Sequence, residues 1–266
     1  MYETTYHRPS SVEEAAALFA KGSESKYLAG GHTLIPVMKQ RLASPSDVID
    51  LGRIKDLVGI EVSADAVTIK AATTHYDVAE SGPVRKAIAA LAHLASLIGD
   101  PAVRYRGTIG GSIANNDPAA DYPAAVLALG AMIKTNKRNI AADDFFKGLF
   151  TTALTDGEII TQVVFPIPAK AGYSKLPHPA SRFALTGVFV VKTKAGDVRV
   201  AATGASQNGA MRVPAIEAAL KANWSPGALD GVKISADGLL TDIHGSSAYR
   251  ANLIKVMAQR AVTAAG

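Results

Sequence analysis

The most informative stretches of this chain of 266 residues are Ala29-Gly30-Gly31-His32-Thr33-Leu34 and Gly107-Thr108-Ile109-Gly110-Gly111-Ser112. We term them the first and second glycine segments. The first lies between a strand predicted over residues 26–29 and a helix predicted over residues 36–45. The second lies within residues 99–121, which are rich in Gly, Asn, Asp and Pro and show no clear periodicity. A loop of that length inside a compact domain is expected to bind something.

Main-chain N–H groups of both glycine segments are suited to bind an anion. Glycine has no side chain, so these groups approach an oxyanion closely, and consecutive N–H groups in a turn form an anion-binding nest. A helix N-terminus behind the first segment adds partial positive charge, and Thr33, Thr108 and Ser112 supply hydroxyl donors. Each segment by itself also fits an ordinary tight turn. The two together favour a diphosphate site that requires no cationic side chain.

The elements around the glycine segments mix helices and strands without a strict βαβ alternation. A capping box at Ser10 and Glu13 predicts a helix that ends near Gly22, and apolar spacings of three and four predict one helix from Pro83 to Ile98. The other predicted elements are strands over 48–51, 58–62, 67–71, 159–165, 183–193 and 198–203 and helices over 123–129, 214–222 and 247–264. This order favours an α+β fold over a doubly wound sheet.

The composition excludes several classes of protein. Hydrophobic residues make up 48% and charged residues 19%, which is typical of a globular protein and not of a disordered or coiled-coil chain. The chain has no cysteine, so it cannot by itself build a disulfide framework, a thiol nucleophile or an iron–sulfur cluster. The 28 Lys and Arg residues are scattered, which disfavours nucleic-acid binding. No transmembrane segment is predicted, and the expected location is the cytoplasm.

Standard catalytic motifs are absent from the sequence. There is no Walker loop, no G-x-G-x-x-G, no G-x-S-x-G and no H-E-x-x-H. The six histidines show no spacing typical of metal ligands, so each is interpreted as a surface or packed imidazole. No catalytic residue and no metal site are therefore predicted on this chain.

Four further motifs accompany the glycine segments in order along the chain. They are Thr73-Thr74-His75, Gly99-Asp100-Pro101-Ala102-Val103-Arg104, Gly157-Glu158-Ile159-Ile160 and Tyr173-Ser174-Lys175. With them, the sequence resembles the FAD-binding medium subunit of the molybdenum hydroxylases over nearly its whole length. The most similar type is the medium subunit of aerobic carbon monoxide dehydrogenase, and the flavin domain of xanthine dehydrogenase is more distant.

The resemblance implies an α+β fold of the vanillyl-alcohol-oxidase/PCMH type with three units. Two FAD-binding subdomains would cover residues 1–54 and 55–170, the second built around an antiparallel sheet. A C-terminal α+β domain of antiparallel sheet and helices, of the carbon monoxide dehydrogenase flavoprotein type, would cover residues 171–266. FAD would lie between these units.

The resemblance also implies which residues contact FAD. Both glycine segments would bind the pyrophosphate, Asp121 would bind the ribose or adenine end, and others would contact the nucleotide or the flavin ring. The full set is Leu28, Ala29, Gly30, Gly31, His32, Thr33, Leu34, Thr74, His75, Ile98, Thr108, Ile109, Gly110, Gly111, Ser112, Asn115, Asp117, Asp121, Ile160 and Lys175. Asn115, Asn116 and Asp117 could equally cap a turn. Lys175 could stabilise negative charge on the reduced flavin or could be a solvated lysine.

In the function that the resemblance implies, this chain is the FAD-carrying electron-transfer subunit of a molybdenum-dependent hydroxylase or dehydrogenase. A large subunit would carry molybdopterin, a small subunit would carry two [2Fe–2S] clusters, and the three would assemble as a dimer of heterotrimers. FAD would take electrons from the clusters and pass them to an external acceptor. Two alternatives stay open: a self-sufficient flavin-dependent oxidase or reductase with its own small-molecule substrate, and a non-catalytic scaffold that has lost FAD.

Overall fold

The fold is α+β in a computed structural model that describes residues 1–266. Its strands form four sheets, and α-helices cover or connect them. The strands are β1 (Thr5–His7), β2 (Ser25–Leu28), β3 (Asp47–Asp50), β4 (Ile60–Val62), β5 (Ala66–Lys70), β6 (Met132–Thr135), β7 (Asn139–Ala141), β8 (Phe146–Gly148), β9 (Thr151–Thr152), β10 (Ile160–Pro166), β11 (Lys170–Pro177), β12 (Ala184–Lys192), β13 (Val198–Thr203) and β14 (Met211–Arg212). The helices are α1 (Val12–Lys21), α2 (Leu34–Lys39), α3 (His75–Glu80), α4 (Gly82–Ala87), α5 (Ala89–Ser96), α6 (Pro101–Arg104), α7 (Ile109–Asn115), α8 (Tyr122–Leu129), α9 (Ala142–Phe145), α10 (Pro214–Ala222) and α11 (Ser247–Ala265), and short 3₁₀ helices cover Leu51–Arg53, Lys55–Leu57 and Pro226–Leu229.

The first sheet is parallel and leads directly into the first glycine segment. Its strand order is β1-β3-β2, and the chain passes from the edge strand β2 through the glycines into α2. Helix α1 connects β1 to β2 and buries Ala15 in one core with Ile49 of β3. Because the first glycine segment directly follows β2, it lies at the carboxyl end of a parallel strand, where open α/β sheets bind their ligands.

The second sheet is antiparallel and lies behind the second glycine segment. Its strand order β4-β5-β10-β6-β7 places β10 at the centre, where Val163 pairs with Ile69 on one side and Ile133 on the other. These three side chains are fully buried. Helix α7, which begins inside the second glycine segment, lies against β5 and β10.

The third sheet is antiparallel, with the order β11-β12-β13-β14, and α10 and α11 cover one of its faces. On that face Val190 and Val200 pack with Ile254 and Met257 of α11. A separate hairpin is formed by β8 and β9. Neither α11, the longest helix, nor any other helix combines the length and the apolar character needed to cross a membrane.

The largest hydrophobic core joins the second and third sheets. It contains Val67 of β5 together with Phe189 of β12. The units predicted at residues 1–54, 55–170 and 171–266 each contain nearly all of one of the larger sheets, while this core crosses the second boundary. The unit boundaries stay a prediction.

The single helix predicted from Pro83 to Ile98 is wrong, because the chain bends at Ile88. The φ and ψ of Ile88, −142° and 76°, end α4, and α5 begins at the next residue. Ile88 enters the core together with Val84 and Leu91, as the apolar spacing predicts. The apolar spacing continues through the bend and therefore conceals it.

The loop predicted over residues 99–121 is also wrong, because it contains α6 and α7. Asp100 and Thr108 cap these two helices by accepting a main-chain N–H with a side-chain oxygen. A glycine pair lowers the helix propensity of α7, but its close packing against Ala71 overrides that preference.

The predicted capping box is displaced by one residue. Ser11, not Ser10, is the N-cap of α1 and accepts the N–H of Glu14. The Glu14 carboxylate in turn accepts the N–H of Ser10 at 2.7 Å. The bonds therefore involve three residues, with Ser11 accepting from Glu14 and Glu14 accepting from Ser10, in place of the predicted Ser10 and Glu13 box. The helix still ends before Gly22.

Helix α2 is shorter than predicted. It begins before Pro36, at Leu34, and ends at Lys39 instead of continuing to Pro45. Arg41 has a left-handed φ of 61°, which a right-handed helix cannot include. The chain therefore turns early toward β3.

Candidate functional site

A cavity of about 630 Å³ lies between the first glycine segment, the second glycine segment and the loop that follows β11. That volume is typical of small-molecule and cofactor sites. Lining residues come from β2, from the start of β10 and from residues 181–183, so each of the three larger sheets contributes. The two glycine segments, far apart in the chain, thus face one shared cavity.

Most of the residues predicted to contact FAD line this cavity. They are Leu28, Ala29, Gly30, Gly31, His32, Thr33, Leu34, His75, Ile98, Thr108, Gly110, Gly111, Ser112, Asn115, Asp117, Asp121 and Ile160. Thr74, Ile109 and Lys175 do not line it. The hydroxyl of Thr74 caps α3, and Ile109 is fully buried in the largest core.

The main-chain N–H groups of the first glycine segment are free to bind a ligand. Those of Gly30, Gly31, His32 and Thr33 donate to no protein acceptor. Gly31 has a left-handed φ of 78°, a conformation that favours glycine and that occurs in anion-binding nests. This segment therefore has the consecutive main-chain donors that a diphosphate site requires.

The second glycine segment differs, because its N–H groups already donate within the protein. The N–H of Gly110 donates to the carbonyl of Ala71 at 2.8 Å, and that of Ser112 donates to the carbonyl of Thr108 at 3.0 Å. The N–H of Gly111 donates to the Thr108 hydroxyl at 3.1 Å. This segment is the first turn of α7, and it does not present the free consecutive amides that the sequence suggested.

Because glycine has no side chain, the two glycine segments can pack closely against each other and against Ala71. A Cβ added to Gly30 would lie 2.7 Å from the Cα of Gly107, and a Cβ added to Gly110 would lie 2.6 Å from the Cβ of Ala71. A Cβ added to Gly111 would lie 3.0 Å from the Thr108 hydroxyl oxygen. Gly30 and Gly110 are therefore required by the approach of one main chain to another, and not only by the approach of a ligand.

Asp121 forms a buried cluster with Tyr173 and Lys175 at the cavity wall. Its carboxylate accepts the Tyr173 hydroxyl at 2.5 Å and lies 2.9 Å from the Lys175 ammonium. The side chains of Asp121 and Lys175 are 4% and 3% exposed, so the alternative of a solvated lysine is wrong. Burial raises the pKa of Asp121, and Lys175 and the Tyr173 hydroxyl oppose that shift. Both carboxylate oxygens of Asp121 therefore have protein partners.

Asn115, Asn116 and Asp117, at the end of α7, were predicted either to contact the cofactor or to cap a turn, and the structure gives them different roles. Asn116 has a left-handed φ of 46° and caps α7. Its buried side chain donates to the carbonyls of Gly148 and Thr151, at 2.7 and 2.9 Å. Asn115 and Asp117 line the cavity on either side of it. The Asp117 carboxylate also caps a turn, because it accepts the N–H of Ala119 at 2.9 Å. Asn116 is therefore structural, Asp117 has one carboxylate oxygen committed to a turn, and the Asn115 side chain is available to a ligand.

His75 is a buried histidine in the cavity wall. It is 5% exposed, and its Nδ1 atom has no hydrogen-bond partner in the protein. Burial lowers the pKa of His75 to about 3, so the ring is neutral at neutral pH. Its Nε2 atom lies close under the second glycine segment, 2.5 Å from where a Cβ on Gly107 would be. An unpartnered polar nitrogen in a cavity wall is a group that a bound cofactor can satisfy.

Glu158 lines the cavity but is engaged by protein groups. Its carboxylate accepts the Arg138 guanidinium at 3.1 Å and the N–H of Thr155 at 2.8 Å. Burial acts to raise the pKa of Glu158, but these hydrogen bonds outweigh burial and lower the pKa to about 2. The group is therefore ionised at neutral pH and contributes to the wall as a fixed charge.

Several lining residues were missed by sequence reasoning. Ser181, Arg182 and Phe183 belong to the loop between β11 and β12, where no motif was recognised. Tyr27 and Leu154 add apolar surface to the wall. The sole sequence signal is an aromatic residue, Phe183, at the start of a predicted strand. That signal is weak, because single exposed apolar residues are common on protein surfaces.

The arrangement suits the binding of a large dinucleotide better than acid–base chemistry. Asp121 and Glu158 are each paired with a cation, and His75 is held neutral. What the cavity offers is a row of main-chain donors at the first glycine segment and apolar walls that include Ile98 and Ile160. Such sites bind through shape and a few placed polar groups.

Comparisons with known proteins agree with this description. The family described as FAD binding domain in molybdopterin dehydrogenase matches residues 2–168. The nicotine 6-hydroxylase medium subunit of Paenarthrobacter nicotinovorans is 37% identical over 98% of this chain and 96% of its own length. The carbon monoxide dehydrogenase medium chain of Afipia carboxidovorans is 36% identical over 97% of this chain and 94% of its own length. A chain of the cyanide-inactivated Cu,Mo-CO dehydrogenase structure superposes with a TM-score of 0.89 and 33% identity, covering 100% of this chain and 98% of that chain.

The fold and the cavity, with these matches, define an FAD-binding subunit of an oxidoreductase. The chain belongs to the family of FAD-carrying medium subunits of the molybdenum hydroxylases. The family, the α+β fold of the PCMH type and the FAD cofactor expected from the sequence are confirmed. The free amides of the first glycine segment and the unpartnered Nδ1 atom of His75 fit such a cofactor.

Proposed function

We propose that the chain is the electron-transfer subunit of its complex, in which FAD receives electrons from a [2Fe–2S] subunit and passes them to an external acceptor. The carrying observation is a cavity that has free main-chain donors at the first glycine segment, in a chain that matches named medium subunits over nearly their whole length. FAD supplies the chemistry of accepting electrons singly and delivering them in pairs. The residues of this chain bind the cofactor, orient it and exclude water.

The proposed contacts follow from the geometry of the cavity. The N–H groups of residues 30–33 bind the diphosphate, and the hydroxyls of Thr108 and Ser112 approach it from the second glycine segment. Ile98 and Ile160 contact the apolar parts of the cofactor. The remaining predicted residues that line the cavity contact the nucleotide or the flavin ring.

The proposed partners are a large subunit with molybdopterin and a small subunit with two [2Fe–2S] clusters, assembled as a dimer of heterotrimers. The absence of cysteine supports this division, because the clusters need thiolate ligands that this chain lacks. Relatives that match over nearly their whole length are named as medium subunits or medium chains. The cytoplasmic location stays a prediction.

A self-sufficient flavin oxidase would need an acid or base placed beside its substrate. In this cavity Asp121 pairs with Lys175 at 2.9 Å, and Glu158 pairs with Arg138 at 3.1 Å. His75, with a pKa of about 3, is not protonated near neutral pH. The commitment of these three groups favours the electron-transfer subunit, and a self-sufficient enzyme would have to use another titratable residue of the lining, such as His32 or Asp117.

The test compares the intact complex with this chain alone. An affinity tag on this chain should recover two further subunits, with FAD on this chain and with iron and molybdenum on the others. The chain alone, loaded with FAD, should stay oxidised in the presence of any substrate that bleaches the flavin of the complex. Flavin absorbance measures both states.

Two outcomes would contradict the proposal. Reduction of the flavin by an organic substrate added to the chain alone would identify a self-sufficient enzyme. A colourless chain that binds no added FAD would identify a scaffold. Gly31→Val, whose side chain disfavours the left-handed φ of 78°, is the control with an impaired first glycine segment.

A further inference from the structure

The ammonium group of Lys175 joins three segments of the cavity wall. It donates to the carbonyl oxygens of Leu97 and Arg182, both at 2.9 Å, and to the carboxylate of Asp121 at 3.1 Å. Arg182 and Asp121 line the cavity, and so does Ile98, which follows Leu97. One buried side chain therefore connects the end of α5, the start of α8 and the loop between β11 and β12.

The loop of residues 178–183 has no other hydrogen bond to the rest of the protein. Its own bonds join the N–H of His178 to the carbonyl of Phe183 at 2.8 Å and the N–H of Arg182 to the carbonyl of His178 at 2.9 Å. Arg182 has a left-handed φ of 61°, which residues other than glycine seldom adopt. The bond from Lys175 is therefore the single hydrogen bond that fixes this loop against the cavity.

Lys175 has no donor left for a ligand. Its three N–H bonds match its three protein partners, and its side chain is buried and does not line the cavity. An effect of Lys175 on a bound cofactor must therefore pass through the groups that it positions. This differs from the direct contact expected from the sequence.

We propose that Lys175 is a positioning residue that fixes the 178–183 loop over the cavity by joining Arg182 to Leu97 and Asp121. The Asp121 carboxylate stabilises the buried ammonium group, because opposite charges are needed where water is excluded. Without Lys175 the loop separates from the cavity wall, and bound FAD dissociates faster. The second of these consequences rests on the proposed function.

A simpler role, charge balance for Asp121, makes a different prediction. Removing the lysine alone leaves a buried carboxylate without its counter-ion, which destabilises the protein whatever Lys175 does. The informative comparison is between Asp121→Asn and the double variant Asp121→Asn/Lys175→Met. Neither has the carboxylate charge, and only the first retains the Lys175 amine, which keeps two N–H groups for the carbonyls of Leu97 and Arg182 even when the buried ammonium group loses its proton.

Hydrogen exchange on the FAD-free protein measures the loop directly. We expect the amides of residues 178–184 to exchange about tenfold to a hundredfold faster in the double variant than in Asp121→Asn, because the bond to the charged donor is lost. The amides of β10 should exchange alike in both. Lys194→Met, which removes a surface lysine bonded to the Ala64 carbonyl, is the matched control and should leave the 178–184 amides unchanged.

Equal exchange of residues 178–184 in the two Asp121 variants would overturn the proposal and leave charge balance as the role of Lys175. Flavin fluorescence should also show faster FAD dissociation from the double variant than from Asp121→Asn, and equal rates would refute the effect on the cofactor. Failure of the wild-type protein to bind FAD would contradict the proposed function instead. The exchange comparison would then still decide the role of Lys175, because it requires no FAD.

Discussion

The two glycine segments look alike in sequence and differ in structure. Each contains a Gly-Gly pair. In the first, the N–H groups of residues 30–33 have no protein acceptor. In the second, the N–H groups of Gly110 and Gly111 donate to the Ala71 carbonyl and the Thr108 hydroxyl. The same dipeptide leaves donors for a ligand in one place and uses them for the fold in the other.

Gly31 and Gly110 must be glycine for different physical reasons. Gly31 adopts a left-handed φ of 78° within a row of free amides, whereas any Cβ on Gly110 would meet Ala71, the residue that follows β5. Substitution of Gly31 should therefore impair FAD binding more than stability. Substitution of Gly110 should impair stability more than binding.

The largest effect is expected for Gly110→Ala. The new Cβ would lie 2.6 Å from the Cβ of Ala71 and 2.7 Å from its carbonyl oxygen, so main chain must move. We expect the free energy of unfolding of the FAD-free protein to fall by about 3 kcal/mol, measured by chemical denaturation. Gly82→Ala is the control, because a Cβ there has no heavy atom within 4 Å. Equal stability of the two variants would refute the packing role of Gly110.

A smaller effect, on binding, is expected for Gly31→Ala. Alanine disfavours the left-handed φ, so the free energy of unfolding should fall by only about 1 kcal/mol. The dissociation constant of FAD should rise about tenfold or more, because hydrogen bonds to the charged diphosphate are lost. Titration with flavin fluorescence measures the constant. A wild-type value would show that the first glycine segment does not bind the diphosphate.

The two segments should also respond differently to acid. His75, beneath the second segment, has a pKa of about 3 when buried, against an ordinary value of 6.5. The folded protein therefore binds fewer protons than the unfolded chain between these values, and stability falls as the pH drops from 6.5 toward 3. The expected slope from this residue is about 1.4 kcal/mol per pH unit.

Denaturation at about pH 7 and about pH 4.5 measures that slope. His75→Gln should reduce it, because glutamine does not titrate. His93→Gln, at an exposed position in α5, should leave the slope as in the wild type, since His75 is retained. If His75→Gln left the acid dependence unchanged, burial of His75 would not be its cause.

The smallest effect is expected for a pair of threonines. The Thr108 hydroxyl caps α7 by accepting the N–H of Gly111, whereas the Thr33 hydroxyl forms no capping bond with α2. Thr108→Val should lower the free energy of unfolding by about 1 kcal/mol, and Thr33→Val should change it by less than about 0.5 kcal/mol. Thermal denaturation of the FAD-free proteins measures both. A loss at Thr33 as large as that at Thr108 would break the contrast between the segments.

Elements with local apolar periodicity could be predicted closely. The helix predicted over residues 214–222 is α10, and that predicted over residues 247–264 is α11 but for one residue. The bend at Ile88 could not be predicted, because apolar spacing continues through it. Helix α7 was missed because its glycines disfavour a helix, and contact with Ala71 stabilises it nonetheless.

In the candidate site, too, features carried by local motifs could be predicted and features set by distant contacts could not. Most of the residues predicted to contact FAD do line the cavity, because their motifs are local and occur in a specific order, but they form only about half of its lining. The buried position of Lys175 could not, since its neighbours in the sequence do not indicate that the carbonyls of Leu97 and Arg182 converge on it. Ser181 and Phe183 were missed because the β11–β12 loop carries no motif of its own.

Composition and periodicity predicted a cysteine-free α+β protein, and the resemblance carried by its motifs implied an FAD-binding subunit, because each motif and each periodicity can be read within a short stretch of chain. Folding settled which glycine amides are free and which carboxylates are paired. These properties depend on contacts between residues distant in the chain, and a short stretch does not specify the partners that its backbone and charged groups will meet.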